Sequence, residues 1–557
     1  MSLLAKHAVM EQFLSEGVKY VFGNPGSTEL AFMDALQDYP ELQYILGLHE
    51  TVPLAMADGF GRATCRPAVV NVHIAPGLAN AMSMIYNARK SGAPIVVTVG
   101  QQDTRFTATE PLLYADLVRF AQPWVKWAGE VTRPNDVPML LRRAFKVAAE
   151  PPQGPVVLSL PQDLMDGEVT EPIVPTTYTT WSSRPDPASA QRIARMLAEA
   201  RSPLILVGDN LALSRGHTEA ASLAEAAGCL VLAATSRRWN FPTNHPLYGG
   251  PLGFLGGIKE SLSGHDVILA LGTGALFASL WYEEGPQVPP DSAFIHVDVD
   301  PWEMGKNFAP TLALLADPFW AARDIREALE AVRTPAQRAE AERRGREIGE
   351  RKAEVRSKAE AQLRAEWDQE PISPMRLVAE IRDTAPPHSV FVGSGGTSGR
   401  APFAQLIDLP EPDSFFEGNA SLGFSLPGAL GVKLALPDRP VIGLLREGDS
   451  MYSIQGLWTA VKYKIPVTYV VFNNASYRIL KQGMVRYLGA SERRSEFLGM
   501  DFGEPAIDLA RQASVWDIPA RRVEHPADLR GALREALEHD GPSLVDVVID
   551  KSYRHYF

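Results

Sequence analysis

Residues 441–480, VIGLLREGDSMYSIQGLWTAVKYKIPVTYVVFNNASYRIL, admit few folds. The apolar run Val441–Leu445 stops at a polar turn, Arg446–Ser450. A stretch of helical character follows, and a second apolar run, Val467–Phe472, stops at Asn473-Asn474. A strand that is apolar at every position is buried on both faces, so it belongs to a parallel sheet covered by helices. The segment therefore predicts a βαβ unit. Both polar loops then fall at the carboxyl ends of parallel strands, where open α/β sheets bind ligands. This brings Glu447 and Asn474 to one place although 27 positions separate them. Oxygen donors of this kind suit a hard cation such as Mg²⁺, which also bridges to phosphate oxygens.

The same alternation recurs three times. Residues 1–180 carry the apolar runs Tyr20–Phe22, Ala68–Val72, Ile95–Val99 and Val156–Leu160. Residues 190–335 carry Leu204–Val207, Leu230–Ala233, Val267–Leu271 and Phe294–Val297. Residues 372–557 carry Val390–Val392, Val441–Leu445, Val467–Phe472 and Ser543–Val548. The expected class is α/β, with three doubly wound parallel-sheet domains in these blocks. Glu171–Pro187, rich in Pro, Thr and Ser, reads as a surface linker. Residues 336–371, dominated by Arg, Glu, Lys and Ala, read as one exposed helix with i,i+4 charge pairs. No apolar seam persists there to make a coiled coil, and no short internal repeat is visible.

Composition narrows the function. A net charge of −12 without a concentrated basic cluster gives no nucleic-acid surface. Cys65 and Cys229 are the two cysteines, which excludes a disulfide framework and fits a reducing cytoplasm. The amphipathic N-terminus lacks the apolar core of a signal peptide. No apolar run reaches membrane-spanning length. The expectation is a cytoplasmic protein with no membrane or nucleic-acid partner.

Three strand ends in the first block carry candidate residues. Val21–Phe22 runs into Gly23-Asn24-Pro25-Gly26-Ser27, where Ser27 is placed to cap a helix near Thr28-Glu29. Glu50 follows Leu46-Gly47-Leu48-His49 before a helix start. It reads either as an acid paired with a helix dipole or as a buried carboxylate for a cofactor ring nitrogen. His73 ends Asn71-Val72 before a Gly-containing turn, as a structural histidine or as one facing a cleft. In the third block, Gly393–Gly399 offers backbone N–H groups and the hydroxyls of Thr397 and Ser398 to a phosphate. Gly272-Thr273-Gly274 in the middle block is a poor nucleotide loop, without a full GxGxxG opening a helix.

These peptides resemble thiamine diphosphate enzymes. The family's metal motif is Gly-Asp-Gly at the first turn and Asn-Asn at the second; here Arg446-Glu447-Gly448 stands for the first and Asn473-Asn474 for the second. Phe22–Leu30, His49–Ala63, Asn71–Met82, Gly100–Gln102, Gln153–Pro155 and Tyr452–Pro466 resemble the family in order and spacing. The resemblance is nearest to benzoylformate decarboxylase-like proteins. It implies that Glu50 activates the cofactor pyrimidine, and that Ser27 and His73 orient the substrate carboxylate and shuttle protons. It implies cofactor contacts from Asn24, Pro25, Gly26, Thr397, Ser398, Ala420, Leu422, Gly448, Asp449, Ser450, Asn474 and Tyr477. It implies Mg²⁺ ligation by Glu447, Asn474 and Ser476. Asp449, in place of a small hydroxyl residue, adds like charge beside a diphosphate, and Arg446 is placed to offset it. No His follows Gly274 where relatives carry a second one; Ala278, Ser279, Leu280 and Trp281 occupy that stretch.

The implied activity is thiamine diphosphate-dependent decarboxylation of a benzoylformate-like 2-keto acid, through a C2 carbanion and an enamine. The alternatives are a carboligase or lyase of the benzaldehyde lyase or acetolactate synthase type, and a non-catalytic homologue with impaired cofactor binding. The implied assembly is a homodimer or homotetramer with active sites between subunits. Phe277, Trp281, Met484 and Tyr487 are candidate pocket residues for a 2-keto acid or aldehyde.

Overall fold

The computed structural model describes residues 3–234, 237–253, 257–274, 284–418, 420–488 and 497–552. It contains three parallel-sheet α/β domains. The first sheet has the order Gln43–Leu46, Tyr20–Asn24, Ala68–Val72, Ile95–Gln101, Pro155–Pro161, Trp127–Glu130, all parallel. The chain winds outward from Tyr20–Asn24 to Gln43–Leu46, then reverses to Ala68–Val72. That reversal parts the loops and opens a crevice at the carboxyl ends of the strands.

The third sheet repeats this winding: Phe415–Phe416, Val390–Val392, Val441–Arg446, Thr468–Asn473, Ser543–Val548, Ala520–Val523. Its crevice lies between Val390–Val392 and Val441–Arg446. The middle sheet winds differently, as Tyr248–Pro251, Leu230–Ala233, Pro203–Val207, Val267–Leu271, Ala293–Asp298, Leu312–Leu315.

Every apolar run read as a strand forms one. The strands that were not anticipated, Trp127–Glu130, Tyr248–Pro251, Leu312–Leu315, Phe415–Phe416 and Ala520–Val523, all lie at sheet edges. An edge strand has one covered neighbour and needs less apolar surface; the residues of Leu312–Leu315 alternate between half-buried and exposed.

The charged segment forms one helix, Pro335–Ala365. Thr334 caps it, with Gln337 N–H donating to Oγ1 at 3.2 Å and Thr334 N–H donating to Gln337 Oε1 at 2.9 Å. Its solvent side carries the Arg343–Glu347 pair, and Arg356–Glu360 forms a second i,i+4 pair facing the third domain. It is less exposed than its composition suggested. Arg344 donates to the Ala227 carbonyl at 2.7 Å, and Arg356 donates to that of Gln405 at 2.7 Å. The helix thus straps the middle domain to the third. Among the described residues, no helix is long and apolar enough to cross a membrane.

The first and third domains share one apolar core, which runs from Phe22 and Val70 through Leu54 and Ala57 to Leu430 and Val471. Its centre is the crossing of helix Thr51–Thr64 over helix Ser425–Ala435. The two backbones touch. A Cβ on Gly59 would sit 2.3 Å from the Gly428 carbonyl oxygen, and one on Gly431 only 1.9 Å from that of Met56. Gly431→Ala is therefore expected to destabilise the protein by about 1–3 kcal/mol or more through overpacking. Gly531→Ala, in the exposed middle of helix Pro526–Leu537 with nothing within 4 Å of the new Cβ, should stabilise it by up to about 1 kcal/mol. Denaturant titration of both variants checks the pair.

Candidate active site

At the first domain's crevice, Glu50 follows strand Gln43–Leu46 and precedes helix Thr51–Thr64. Its carboxylate is buried and accepts from Asn24 Nδ2 at 3.4 Å and from Asn80 Nδ2 at 3.0 Å. Neither partner is a cation, and the side chain does not cap its own helix. Glu50 stands at the positive end of that helix without capping it, and its buried carboxylate is held instead by the two amide donors. Gly77 gives the carboxylate room, since a Cβ there would lie 3.2 Å from Oε1.

His73 lies across the same crevice, directly before helix Ile74–Ser91. The Gly-containing turn expected after it is absent, because the helix starts at Ile74. Ile74 is fully buried at φ +28°, an uncommon conformation for a β-branched residue. The His73 ring is fixed by Glu29, a residue that sequence reasoning passed over. Glu29 Oε2 lies 2.8 Å from His73 Nδ1 and accepts the Gly26 N–H at 2.8 Å. Its Oε1 accepts from Thr28 Oγ1 at 2.8 Å and from the Gly100 N–H at 2.9 Å. Two glycines make this possible. A Cβ on Gly100 would lie 2.0 Å from Glu29 Oε1, and one on Gly26 would lie 2.2 Å from the His73 ring.

Ser27 does not cap a helix as expected. It is exposed and opens the 3₁₀ turn Ser27–Glu29, and Glu29 instead reaches back to the Gly26 N–H. Acid at that position was legible as a capping pattern. Its link to His73, 44 positions away, was not.

In the third domain, Arg446 ends its strand and Glu447–Ser450 forms a single helical turn. Glu447 is buried; its Oε1 accepts the Ser476 N–H at 3.1 Å. Asn474 Oδ1 accepts the same N–H at 3.0 Å and Ser476 Oγ at 3.1 Å. Ala475 makes this convergence possible by adopting φ +53°. Burial, and secondarily the nearby Asp546 carboxylate, push the Glu447 carboxyl up to about 7. Among the described residues Glu447 forms no ion pair.

Asn474 Nδ2 donates to Ser398 Oγ at 2.8 Å, and Arg478 Nη1 donates to the same oxygen at 3.2 Å. Thr397 sits beside Ser398 in the first turn of helix Gly396–Leu406, behind Gly395 and Gly396 at φ +67° and +60°. A Cβ on Gly396 would lie 2.2 Å from Arg446 Cδ, so the Arg446 chain lies across that turn. Its guanidinium pairs with Asp449 Oδ1 at 3.0 Å, and the Gly423 N–H donates to the same oxygen at 2.9 Å. The negative charge of Asp449 is therefore offset within the loop. Gly448 packs against Phe502 and Tyr477, whose rings meet edge-on at 4.5 Å. Ser450 Oγ donates to the Arg446 carbonyl at 2.8 Å. Ala420 and Leu422 are half-buried in the stretch before helix Ser425–Ala435.

The structure so gathers the predicted residues into two groups on two sheets. Tyr487 is exposed and Met484 half-buried; Phe277 and Ala278–Trp281 lie outside the described residues.

The donor sets fit the groups that the peptides suggested. Glu447 and Asn474 present hard oxygens to one point, and a buried carboxylate with no ion-pair partner among the described residues accommodates a divalent cation. The Gly395–Ser398 turn presents backbone N–H groups and Arg446 to an anion at a helix start. Residues 5–118, 190–325 and 396–547 match the N-terminal TPP binding domain, the central domain and the C-terminal TPP binding domain of thiamine pyrophosphate enzymes. The chain is 33% identical over 550 residues to benzoylformate decarboxylase of Pseudomonas aeruginosa, covering 95% of this chain and 96% of the relative. It is 28% identical over 558 residues to the acetolactate synthase isozyme 3 large subunit of Escherichia coli, covering 98% and 95%. Among solved structures it is similar to the thiamine diphosphate-dependent 4-hydroxybenzoylformate decarboxylase of Rhodococcus jostii RHA1, with a TM-score of 0.86, 28% identity, and 99% and 100% of the two chains covered. For benzoylformate decarboxylase of Polynucleobacter necessarius the TM-score is 0.85, with 29% identity and 99% of each chain covered. With all three domains matched in order and a relative aligned over nearly its whole length, the chain belongs to the thiamine pyrophosphate (thiamine diphosphate) enzymes.

Proposed function

We propose that this chain is a thiamine diphosphate- and Mg²⁺-dependent decarboxylase of a benzoylformate-like 2-keto acid. The observation that carries this reading is Glu50: a buried carboxylate, held by two amides, facing the crevice that also holds the Glu29–His73 pair. When bound, thiamine diphosphate supplies the nucleophilic carbon and the electron sink. Glu50 serves the cofactor's ring nitrogen as proton acceptor and donor. Asn24 and Asn80 fix its two oxygens, so it needs no reorganisation during turnover. His73 has Nδ1 engaged by Glu29 and Thr28, which leaves Nε2 to orient the substrate carboxylate or to hand over a proton. Ser27, exposed at the same turn, adds a hydroxyl for the substrate carboxylate. Glu447, Asn474 and the Ser476 carbonyl hold Mg²⁺, and Thr397, Ser398, Gly448 and Ser450 face the diphosphate. Ala420, Leu422 and Tyr477 would line the organic part of the cofactor.

The working unit is a homodimer or a dimer of dimers. Apolar side chains stay exposed beside each half-site: Leu30 and Leu112 at the first, Tyr452 and Tyr487 at the second, with Leu112 and Tyr487 each 85% exposed. Covering them with a partner chain would remove this apolar area from water. Pairing the first domain of one protomer with the third domain of its partner covers both and completes the site. Free Cys65 and Cys229 agree with a cytoplasmic location. A carboligase of the acetolactate synthase type is the second reading, favoured by the similarity to acetolactate synthases over nearly the whole chain.

Carbon dioxide release from benzoylformate, measured against aldehyde ligation products, separates the two activities; release without ligation is expected. Glu50→Gln should lower turnover by at least about 10²-fold while calorimetric cofactor binding persists. Near-normal turnover would remove Glu50 from the mechanism. Asn474→Ala should raise the Mg²⁺ concentration needed for half-maximal activity.

Glu447 gives a pH-dependent signature in metal-free protein. Its folded pKa, about 7, lies above the ordinary 4.5, so the native state prefers the protonated acid. The ionised form costs stability progressively as pH rises from about 4.5 to about 7, reaching on the order of 3 kcal/mol above that range. Metal-free Glu447→Gln should therefore melt higher than the parent at pH 8 and nearly level with it at pH 4.5. Adding Mg²⁺ with thiamine diphosphate should stabilise the parent more than the variant.

A further inference from the structure

A buried ion pair joins the half-sites inside one chain. Asp58 and Arg62 lie one turn apart on helix Thr51–Thr64, which begins directly after Glu50. Both are almost fully buried, with Arg62 Nε 2.6 Å from Asp58 Oδ1. Arg62 lies over the Phe424 ring at 4.7 Å, and its Nη1 donates to the Glu417 carbonyl at 3.1 Å. Asp58 Oδ2 accepts from Asn87 Nδ2 at 2.9 Å and from Ser91 Oγ at 3.1 Å. With its amide nitrogen committed to Asp58, the fully buried Asn87 turns Oδ1 outward, where it accepts the Ala420 N–H at 3.2 Å.

The backbone between strand Phe415–Phe416 and helix Ser425–Ala435 is thus held at three points. Arg62 holds the Glu417 carbonyl, Asn87 the Ala420 N–H and Asp449 the Gly423 N–H. Two of the anchors come from the first domain and sit on a carboxylate that solvent does not reach. We infer that Asn87, aligned by the Asp58–Arg62 pair, is a positioning residue that sets the Ala420 backbone for the cofactor. This rests on the cofactor reading proposed above, since Ala420 and Leu422 matter here only as parts of the cofactor's seat.

Hydrogen–deuterium exchange of the peptide spanning Ala420 in cofactor-free protein, with calorimetric titration by thiamine diphosphate and Mg²⁺, tests it. Asn87→Ala removes the acceptor of the Ala420 N–H. It should speed exchange there and raise the cofactor Kd, each about tenfold, the equivalent of one net hydrogen bond. The milder Asn87→Ser, whose hydroxyl is too short to reach, should do the same. Ser91→Ala takes a hydroxyl from the same Asp58 oxygen without touching Ala420, so it should lower the melting temperature and leave both readouts unchanged. Unaltered exchange in the Asn87 variants, or an equal effect from Ser91→Ala, overturns the positioning role. Failure of the parent protein to bind cofactor overturns the cofactor reading instead, and the exchange rates still decide whether Asn87 anchors Ala420.

Discussion

Two helices whose backbones touch hold the first and third domains in one body. Helix Thr51–Thr64 crosses helix Ser425–Ala435 with glycines at the contact, so no side chain separates the carbonyl of Met56 from Gly431. Close approach of this kind maximises dispersion contacts and allows little sliding. The apolar core runs through the crossing without interruption. A buried Asp58–Arg62 pair beside it would be costly in isolation, but each of its charged groups has further hydrogen-bond partners. Glu50 stands at one end of this helix, and the ties to Glu417 and Ala420 stand near the other.

The Arg446–Ser450 turn has a physical account once its neighbours are known. Arg446 lies across the Gly395–Ser398 turn, and Gly396 has no Cβ that would block it. The added cation is balanced by Asp449, which also takes the Gly423 N–H. The three departures act together. Arg446 brings a positive charge to the start of helix Gly396–Leu406, Asp449 neutralises part of it and ties down a second loop, and Glu447 keeps an oxygen at the convergence with Asn474. A substitution that looks disruptive in isolation is locally satisfied in three dimensions.

The Glu29–His73 pair shows a different economy. One carboxylate serves two backbone N–H groups, a threonine hydroxyl and an imidazole. It joins the ends of three strands of the first sheet. The glycines at positions 26 and 100 are there for approach distance. With Nδ1 held in this way, the ring orientation of His73 is fixed.

The sequence alone determined the fold class and most strands, because buried parallel strands must be apolar at every position and that leaves an unbroken run. It also placed Glu50, His73, Glu447 and Asn474 at strand ends, because a strand's polarity changes where it leaves the sheet. Five edge strands escaped: Trp127–Glu130 carries no apolar run, and Leu312–Leu315, though apolar at all four positions, is short and only half covered. The common winding of the first and third sheets was also invisible: strand order depends on which faces the helices cover, and different residues satisfy the same burial. The contacts that fix the site were decided only by tertiary structure. Glu29 meets His73 across 44 positions, Asn87 meets Ala420 across 333, and Arg446 lies on Gly396. Local pattern carries the period of an element, whereas these pairs depend on how whole elements cross, and only the packed chain specifies that.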